Sequence, residues 1–472
     1  MRYETLRKKY PRFIYEKYSW QVSKKNLEIF FTFRIKPDIS FNPRIVIENI
    51  NRAKIRRIGN EVFNNLIFNL GLVELISYWK ATCSPKIEIQ AGPLNKEQIK
   101  WWKSLIINGM GQFFYENKID FRPAKFVQIL SPNVTKQDLV TLYGGKLKDK
   151  VLVPIGGGKD SVVTLEILKQ NSPVGGKRKI NCFSLNPTPA AKKIIDMGGC
   201  RKPIIVRRKV DRKLLALNQR GFLNGHTPFS AYLAFLSCLL GVIFDFKFIA
   251  FSNEKSSDEG NVKYLGKIIN HQYSKTFQFE KLFRNYSKKY LAKEFEYFSF
   301  LRPLYEIQIA KLFSQNPKYF PVFMSCNVAY QTNSGRKNPI GQWCGACPKC
   351  LFIFASLYPF VESKKLIKTL GGNLFENKSL LPLMLQLTGE KGFKPFECVG
   401  TKKESRVAFY LSWKKANREG GKPYLLNYFK KKLLPKYKKI EEDSKIIISS
   451  WNSQHNLSKN FEKLLRFHLD KS

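Results

Sequence analysis

Residues Val151-Leu152-Val153-Pro154-Ile155-Gly156-Gly157-Gly158-Lys159-Asp160-Ser161 read as a strand, a turn free of side chains and the start of a helix. Glycine lets backbone N–H groups close around an anion with no Cβ in the way. The first turn of the following helix adds free N–H donors and the positive end of the helix dipole. Ser161 can give its hydroxyl to the same anion, and Lys159 adds charge. The spacing is too short for a Walker loop and lacks the Gly-x-Gly-x-x-Gly order of a dinucleotide fold. A plain glycine turn capping a helix is the simpler alternative, but the strand context, the glycine run and Asp160-Ser161 all agree with an anion loop.

The rhythm around this loop sets the fold class. Strand Val151–Ile155, helix Ser161–Lys169, strand Ile180–Leu185, apolar run Pro203–Val206, helix Ser230–Phe244 and strand Phe248–Phe251 follow one another. Strands alternating with helices imply an α/β fold with a doubly wound parallel sheet, whose ligands sit at the carboxyl ends of the strands. Residues 1–148 read as a separate α+β domain, with β-rich Leu27–Ile35 and Arg44–Ile50 and helical spacing over Arg57–Leu70. Residues 149–361 form the expected catalytic domain. Residues 362–472 read as a helical, basic C-terminal region.

Composition narrows the classes further. The chain has 472 residues, 43% of them hydrophobic, which is enough for sizeable cores and excludes disorder for the bulk. Its 82 Lys+Arg against 36 Asp+Glu give a formal charge of +46. Lysine outnumbers arginine, and Asn, Ile, Phe and Tyr are abundant, the mixture an AT-rich genome writes into its proteins. Anionic small-molecule substrates are the next reading of the charge, and nucleic acid the last. The apolar stretch Ala231–Phe244 is shorter than the ~20 residues a bilayer needs, and the charged N-terminus lacks a signal core, so a cytoplasmic location is expected. Oligomeric state is not legible.

Two further constellations stand out. Ser252-Asn253-Glu254-Lys255 opens a polar stretch at the end of strand Phe248–Phe251, where a substrate is expected, although a solvated loop has the same composition. Asn270-His271-Gln272-Tyr273-Ser274-Lys275 and Glu280 continue it, and His271 is one of only 4 histidines in the chain. Cys344, Cys347 and Cys350 form two Cys-x2-Cys steps, with Cys326 upstream. Two-residue spacers let thiolates converge on one ion, and four soft ligands suit tetrahedral zinc. A redox or thiol-transfer role is the alternative. Cys83, Cys182, Cys200, Cys238 and Cys398 read most simply as core residues.

The glycine loop resembles the pyrophosphate loop of the N-type ATP pyrophosphatases, Ser-Gly-Gly-x-Asp-Ser, with Gly156 where that Ser is usual. The resemblance implies a sheet of the pyrophosphate-loop ATPase type. It implies that ATP is held by Gly156, Gly157, Gly158, Lys159, Asp160 and Ser161, with Asp160 organising Mg2+. A deazaguanine-forming branch of that superfamily has a similar four-cysteine zinc site, which favours structural zinc at Cys326, Cys344, Cys347 and Cys350.

The order of motifs is more specific still. The loop, Ser252-Asn253-Glu254, Asn270–Lys275, Phe298-Ser299-Phe300-Leu301-Arg302-Pro303-Leu304-Tyr305-Glu306, Ser325-Cys326-Asn327 and Trp343–Cys350 follow one another over roughly residues 55–362, with Gly71–Lys80 upstream. Together they resemble the UDP-N-acetylmuramoyl-L-alanyl-L-glutamate epimerases. That resemblance implies conversion of the terminal L-Glu of UDP-MurNAc-L-Ala-L-Glu to D-Glu for peptidoglycan, through an acyl-adenylate, with release of AMP and diphosphate. Adenylation removes the carboxylate charge that otherwise opposes carbanion formation. Under this reading the catalytic candidates are Asp160, Glu254, His271, Lys275 and Glu280. The candidate contacts to the UDP-linked muramoyl dipeptide are Ser252, Asn253, Lys255, Asn270 and Arg302. The rival reading is a pyrophosphate-loop enzyme that adenylates a tRNA base for thiolation or amination.

Overall fold

The computed structural model describes residues 2–132, 141–170, 178–330 and 342–471. Thirteen strands are found among them: β1 (Arg12–Ser23), β2 (Asn26–Lys36), β3 (Ile39–Phe41), β4 (Arg44–Ile47), β5 (Lys86–Ile89), β6 (Gln128–Leu130), β7 (Lys150–Pro154), β8 (Lys179–Leu185), β9 (Ile204–Lys209), β10 (Phe248–Phe251), β11 (Val262–Tyr264), β12 (Lys267–Ile269) and β13 (Glu296–Ser299). Eleven of them form one sheet in the order β13-β10-β7-β8-β9-β4-β2-β1-β5-β6, with β3 beside β2. β11 and β12 make a separate hairpin.

The sheet is mixed rather than wholly parallel. β13, β10, β7, β8 and β9 run parallel, as the strand–helix alternation predicts. β9 then pairs antiparallel with β4, and β4 with β2, so the strands of the first 50 residues continue the same sheet. The physical reason is edge pairing: Ile47 meets Val206 and Arg44 meets Lys209, closing an edge that would otherwise expose backbone donors and acceptors.

Side-chain alternation along the strands feeds two cores. Val151 and Val153 of β7 face one, with the helices Lys159–Lys169, Pro189–Met197 and Glu306–Ser314. Leu152 faces the other, with Asn60–Glu74, Phe229–Phe244 and Phe277–Tyr290. β8 and β9 lie on one side of β7 and β10 and β13 on the other, so the strand order reverses next to the glycine loop. Such a reversal leaves a crevice at the carboxyl ends of the strands. The C-terminal region is helical, as read from the sequence, and folds back into the first of these cores through residues such as Phe461 and Leu465.

One reading of the cysteines is corrected. Cys182 on β8 and Cys200 are joined as a disulfide instead of standing as separate core thiols. β8 and the approach to β9 are adjacent, which brings the two Cα atoms to 6.0 Å. Cys83 and Cys238 are buried as expected. No helix among the described residues is long and apolar enough to cross a membrane.

Candidate active site

β7 ends at Pro154, and Gly156, Gly157 and Gly158 turn the chain into the helix Lys159–Lys169. Gly157 has φ +104°, a left-handed conformation that favours glycine. A Cβ there would stand 3.2 Å from that of Ala190, and one at Gly158 only 2.8 Å from Ser325 Oγ. The loop is thus pinned from two sides, and Met324 N–H donates to the Gly157 carbonyl at 2.8 Å. Above Gly156 there is open space. Ser161 Oγ donates to the Gly158 carbonyl at 2.9 Å.

Lys159 does not reach outward with the loop. Its ammonium is buried and pairs with both Asp160 and Glu306. Burial opposes the charge, but the two carboxylates outweigh it and raise the lysine pKa. Glu306 opens the helix Glu306–Ser314 and lies 3.9 Å from Lys349. Burial alone would push its carboxyl up, yet Lys159 and Lys349 hold it below the ordinary carboxylate range. Asp160 keeps partial exposure at the mouth of the loop.

Glu254 follows β10 and is held the other way. Burial, reinforced by the charge of Glu306, raises its pKa, and its Oε1 is buried with no hydrogen-bond partner. Ser252 Oγ is likewise buried and unpartnered. An orphaned polar atom costs about 1–3 kcal/mol, the pattern of a site built for a partner. Lys275 is half-buried nearby. Its charge is favoured by Cys398 and Glu254 despite burial, and its Nζ lies 3.3 Å from Cys398 Sγ.

His271 belongs to the same cluster. Its Nδ1 meets Gln112 Oε1, and its Nε2 stands 3.9 Å from Cys398 Sγ. With Gln112 accepting from Nδ1–H, Nε2 carries the lone pair. Burial, then the charges of Lys275, Lys349 and Lys394, lower its pKa to about 3, so the ring is neutral. His226 packs against it at 4.4 Å between ring centres.

Other sequence candidates are placed in supporting positions. Arg302 is fully buried; it donates to the Glu254 carbonyl at 2.6 Å, to Ser257 Oγ at 3.1 Å and to the Lys275 carbonyl. It therefore clamps the two segments that carry Glu254 and Lys275, and also lies 3.5 Å from the Asp258 carboxylate. Both oxygens of Glu280 are engaged, by Ser299 N–H at 3.0 Å and Asn456 Nδ2 at 2.7 Å. Asn253 donates to Ser299 Oγ at 3.0 Å. Asn270 bridges the Ser257 carbonyl and Gln272 N–H. Lys255 lies over the Tyr305 ring at 4.6 Å.

The four predicted cysteines do converge. Their ligand atoms lie within 4.8 Å of one another. Cys326–Cys347, Cys344–Cys350 and Cys347–Cys350 are 4.0, 3.7 and 3.5 Å apart. Four sulfurs each about 2.3 Å from one central ion give tetrahedral edges of ~3.8 Å, so the donor set fits a metal. Gly345, at φ +64°, makes the turn between ligands. Cys347 caps the helix Pro348–Leu357 and accepts from Cys350 N–H at 3.4 Å. Lys349, between two of these cysteines, donates to the Cys398 carbonyl.

Sequence reasoning missed Glu306, Lys349 and Cys398. The first two sit inside recognised motifs but carry no local mark of function. Cys398 comes from a distant segment, and only tertiary packing brings it in.

Residues 4–300 match the MurL N-terminal domain family and residues 322–442 the MurL C-terminal domain family. Three curated relatives carry the name UDP-N-acetyl-alpha-D-muramoyl-L-alanyl-L-glutamate epimerase. The proteins from Xanthomonas oryzae pv. oryzae and Salinispora tropica are each 32% identical over 72% of this chain and 72% of their own length. The protein from a Micromonospora species is 32% identical over 72% of this chain and 73% of its own. No solved structure matches the chain.

Proposed function

The chain belongs to the MurL family and is an epimerase, and from that premise we propose that it converts the terminal L-Glu of UDP-MurNAc-L-Ala-L-Glu to D-Glu in an ATP-dependent reaction. The observation that carries the mechanism is the placement of an open glycine loop beside buried Glu254 and half-buried Lys275, at the point where the strand order reverses.

In this reading Gly156, Gly157, Gly158 and Ser161 cradle the pyrophosphate of ATP in a pyrophosphate-loop type of site, and Asp160 holds Mg2+. Mg2+ supplies charge neutralisation on the phosphates. Lys159, locked between Asp160 and Glu306, fixes the carboxylate in place. The glutamyl carboxylate attacks the α-phosphate, diphosphate leaves, and the resulting acyl-adenylate acidifies the α-proton, which a base removes to leave an enolate. Glu254, kept protonated by burial, donates a proton to the α-carbon. Hydrolysis then releases AMP and the D-glutamyl product. Cys326, Cys344, Cys347 and Cys350 would hold a zinc ion, and with four protein thiolates as ligands its part would be structural. Ser252, Asn253, Lys255 and Asn270 line the approach for the UDP-linked dipeptide.

The test is direct. Full-length protein is incubated with ATP, Mg2+ and UDP-MurNAc-L-Ala-L-Glu, and AMP, diphosphate and glutamate chirality are followed. D-Glu formed in step with AMP is the expected result. AMP release that needs tRNA, with no D-Glu, would sink the reading.

A further inference from the structure

Inverting a stereocentre through a planar intermediate takes a proton from one face of Cα and returns one to the other. Glu254 offers one acid. Cys398 sits in a setting quite unlike that of a packing thiol. Cys83 and Cys238 are fully buried, and burial pushes the Cys83 thiol up to about 12. Cys398 is instead partly exposed, with its Sγ 3.3 Å from the Lys275 ammonium and 3.9 Å from His271 Nε2. Lys349 holds its carbonyl, and Asn261 Nδ2 holds those of Lys394 and Pro395, which fixes the segment that delivers the thiol. Independently of this cluster's own contacts, Glu254 Oε1 and Ser252 Oγ are buried and unpartnered, as expected where a ligand belongs.

We propose that Cys398, as a thiolate paired with Lys275, is a proton-transfer residue of the epimerisation, acting opposite Glu254. This rests on the function proposed above. The Lys275 ammonium, 3.3 Å from the sulfur, favours the thiolate.

The step balances as follows. Sγ takes the α-proton of the glutamyl adenylate and becomes S–H. The C–H pair forms the Cα=C bond while the carbonyl π pair moves to oxygen. The carboxyl of Glu254 then gives its proton to the other face of Cα, and C=O is restored. Glu254 is left as carboxylate and Cys398 as thiol, and exchange with water resets both. His271, neutral, stands 3.9 Å from the sulfur and can accept from the S–H formed by the abstraction until exchange removes that proton.

The experiment compares wild-type protein with Cys398→Ala and Cys398→Ser, in D2O, with ATP, Mg2+ and UDP-MurNAc-L-Ala-L-Glu. First-turnover diphosphate release reads adenylation, and α-deuterated D-Glu reads epimerisation. The expected result is diphosphate release close to wild type with D-Glu formation at least ~100-fold slower, the lower end of a general acid–base contribution. D-Glu formation at the wild-type rate in Cys398→Ala overturns the proposal and leaves the epimerase reading intact. No D-Glu from the wild type overturns both. Alkylation of the folded wild-type protein by iodoacetamide, with the modified residue located by mass spectrometry, gives a measure free of folding effects. Modification at Cys398 should stop D-Glu formation and spare diphosphate release; equal loss of both, or of neither, overturns the assignment.

Discussion

Glu254 and Glu306 are two buried carboxyls with opposite fates. Glu306 has Lys159 and Lys349 beside it and stays ionised. Glu254 has burial and the Glu306 charge against it and is pushed toward its protonated form. The folded state therefore holds a proton on Glu254 that the unfolded chain loses in the ordinary carboxylate range. Stability from this group is present at low pH and is lost as pH rises toward the raised pKa. Glu254→Gln should flatten that decline in urea midpoints measured from weakly acidic to weakly alkaline pH. The same variant should cut D-Glu formation by about 10²–10⁴-fold while leaving diphosphate release in place. Lys159→Met is expected to cost up to about 3–5 kcal/mol, because it removes the partner in contact with the buried Glu306 and leaves only Lys349, at 3.9 Å, against its charge; an unchanged midpoint in urea would contradict the buried triad. Asp160 and Glu254 could be singled out from the sequence because each lies a few residues beyond the end of a strand, β7 and β10. Glu306 and Cys398 could not, because their environment is made by segments remote in the chain.

At the scale of elements, the cysteine cluster, which could hold a metal ion, is tied to the candidate active site. Cys347 caps the helix Pro348–Leu357, and the next turn carries Lys349, which reaches both Glu306 and the Cys398 carbonyl. Elemental analysis should find about one zinc per chain, matching a closed four-thiolate site. Cys347→Ser should lose the metal and lower the thermal midpoint. D-Glu formation should fall with it, although no cysteine of the cluster contacts substrate in the proposed mechanism. Full activity in zinc-free Cys347→Ser protein would separate the two sites. The spacing of these cysteines was enough to predict their convergence, since short spacers restrict the geometry strongly. β1 and the β11–β12 hairpin were not legible. β1 alternates buried and exposed residues only in part, with three consecutive buried positions near its start, so no clean period of two marks it.

At the scale of the molecule, the parallel half of the sheet followed from local alternation, whereas the pairing of β4 with β9 carries no local signal across the intervening chain. The fate of the basic C-terminal region was equally hidden, because its lysine-rich composition masks the apolar residues that carry the packing. Phe461 shows what that packing does. It is 3% exposed and lies 5.4 Å from the Phe248 ring of β10 and 4.9 Å from Phe298 of β13. The same segment places Asn452 N–H on the Pro303 carbonyl at 2.9 Å and Asn456 on Glu280. Pro303 adjoins Arg302, the residue that clamps Glu254 and Lys275. The far end of the chain thus supports β10 and β13, the strands that lead into the segments of Glu254 and Arg302. Phe461→Ala leaves a ring-sized void between them and should cost about 3–5 kcal/mol. Because the void opens at the base of the Arg302 loop, D-Glu formation should weaken at temperatures where the protein remains folded. A denaturation curve with one transition, shifted to lower urea with unchanged slope, is the expected signature of a C-terminal region integral to the catalytic core. A separate early transition that leaves D-Glu formation intact would instead mark residues 459–470 as an appendage.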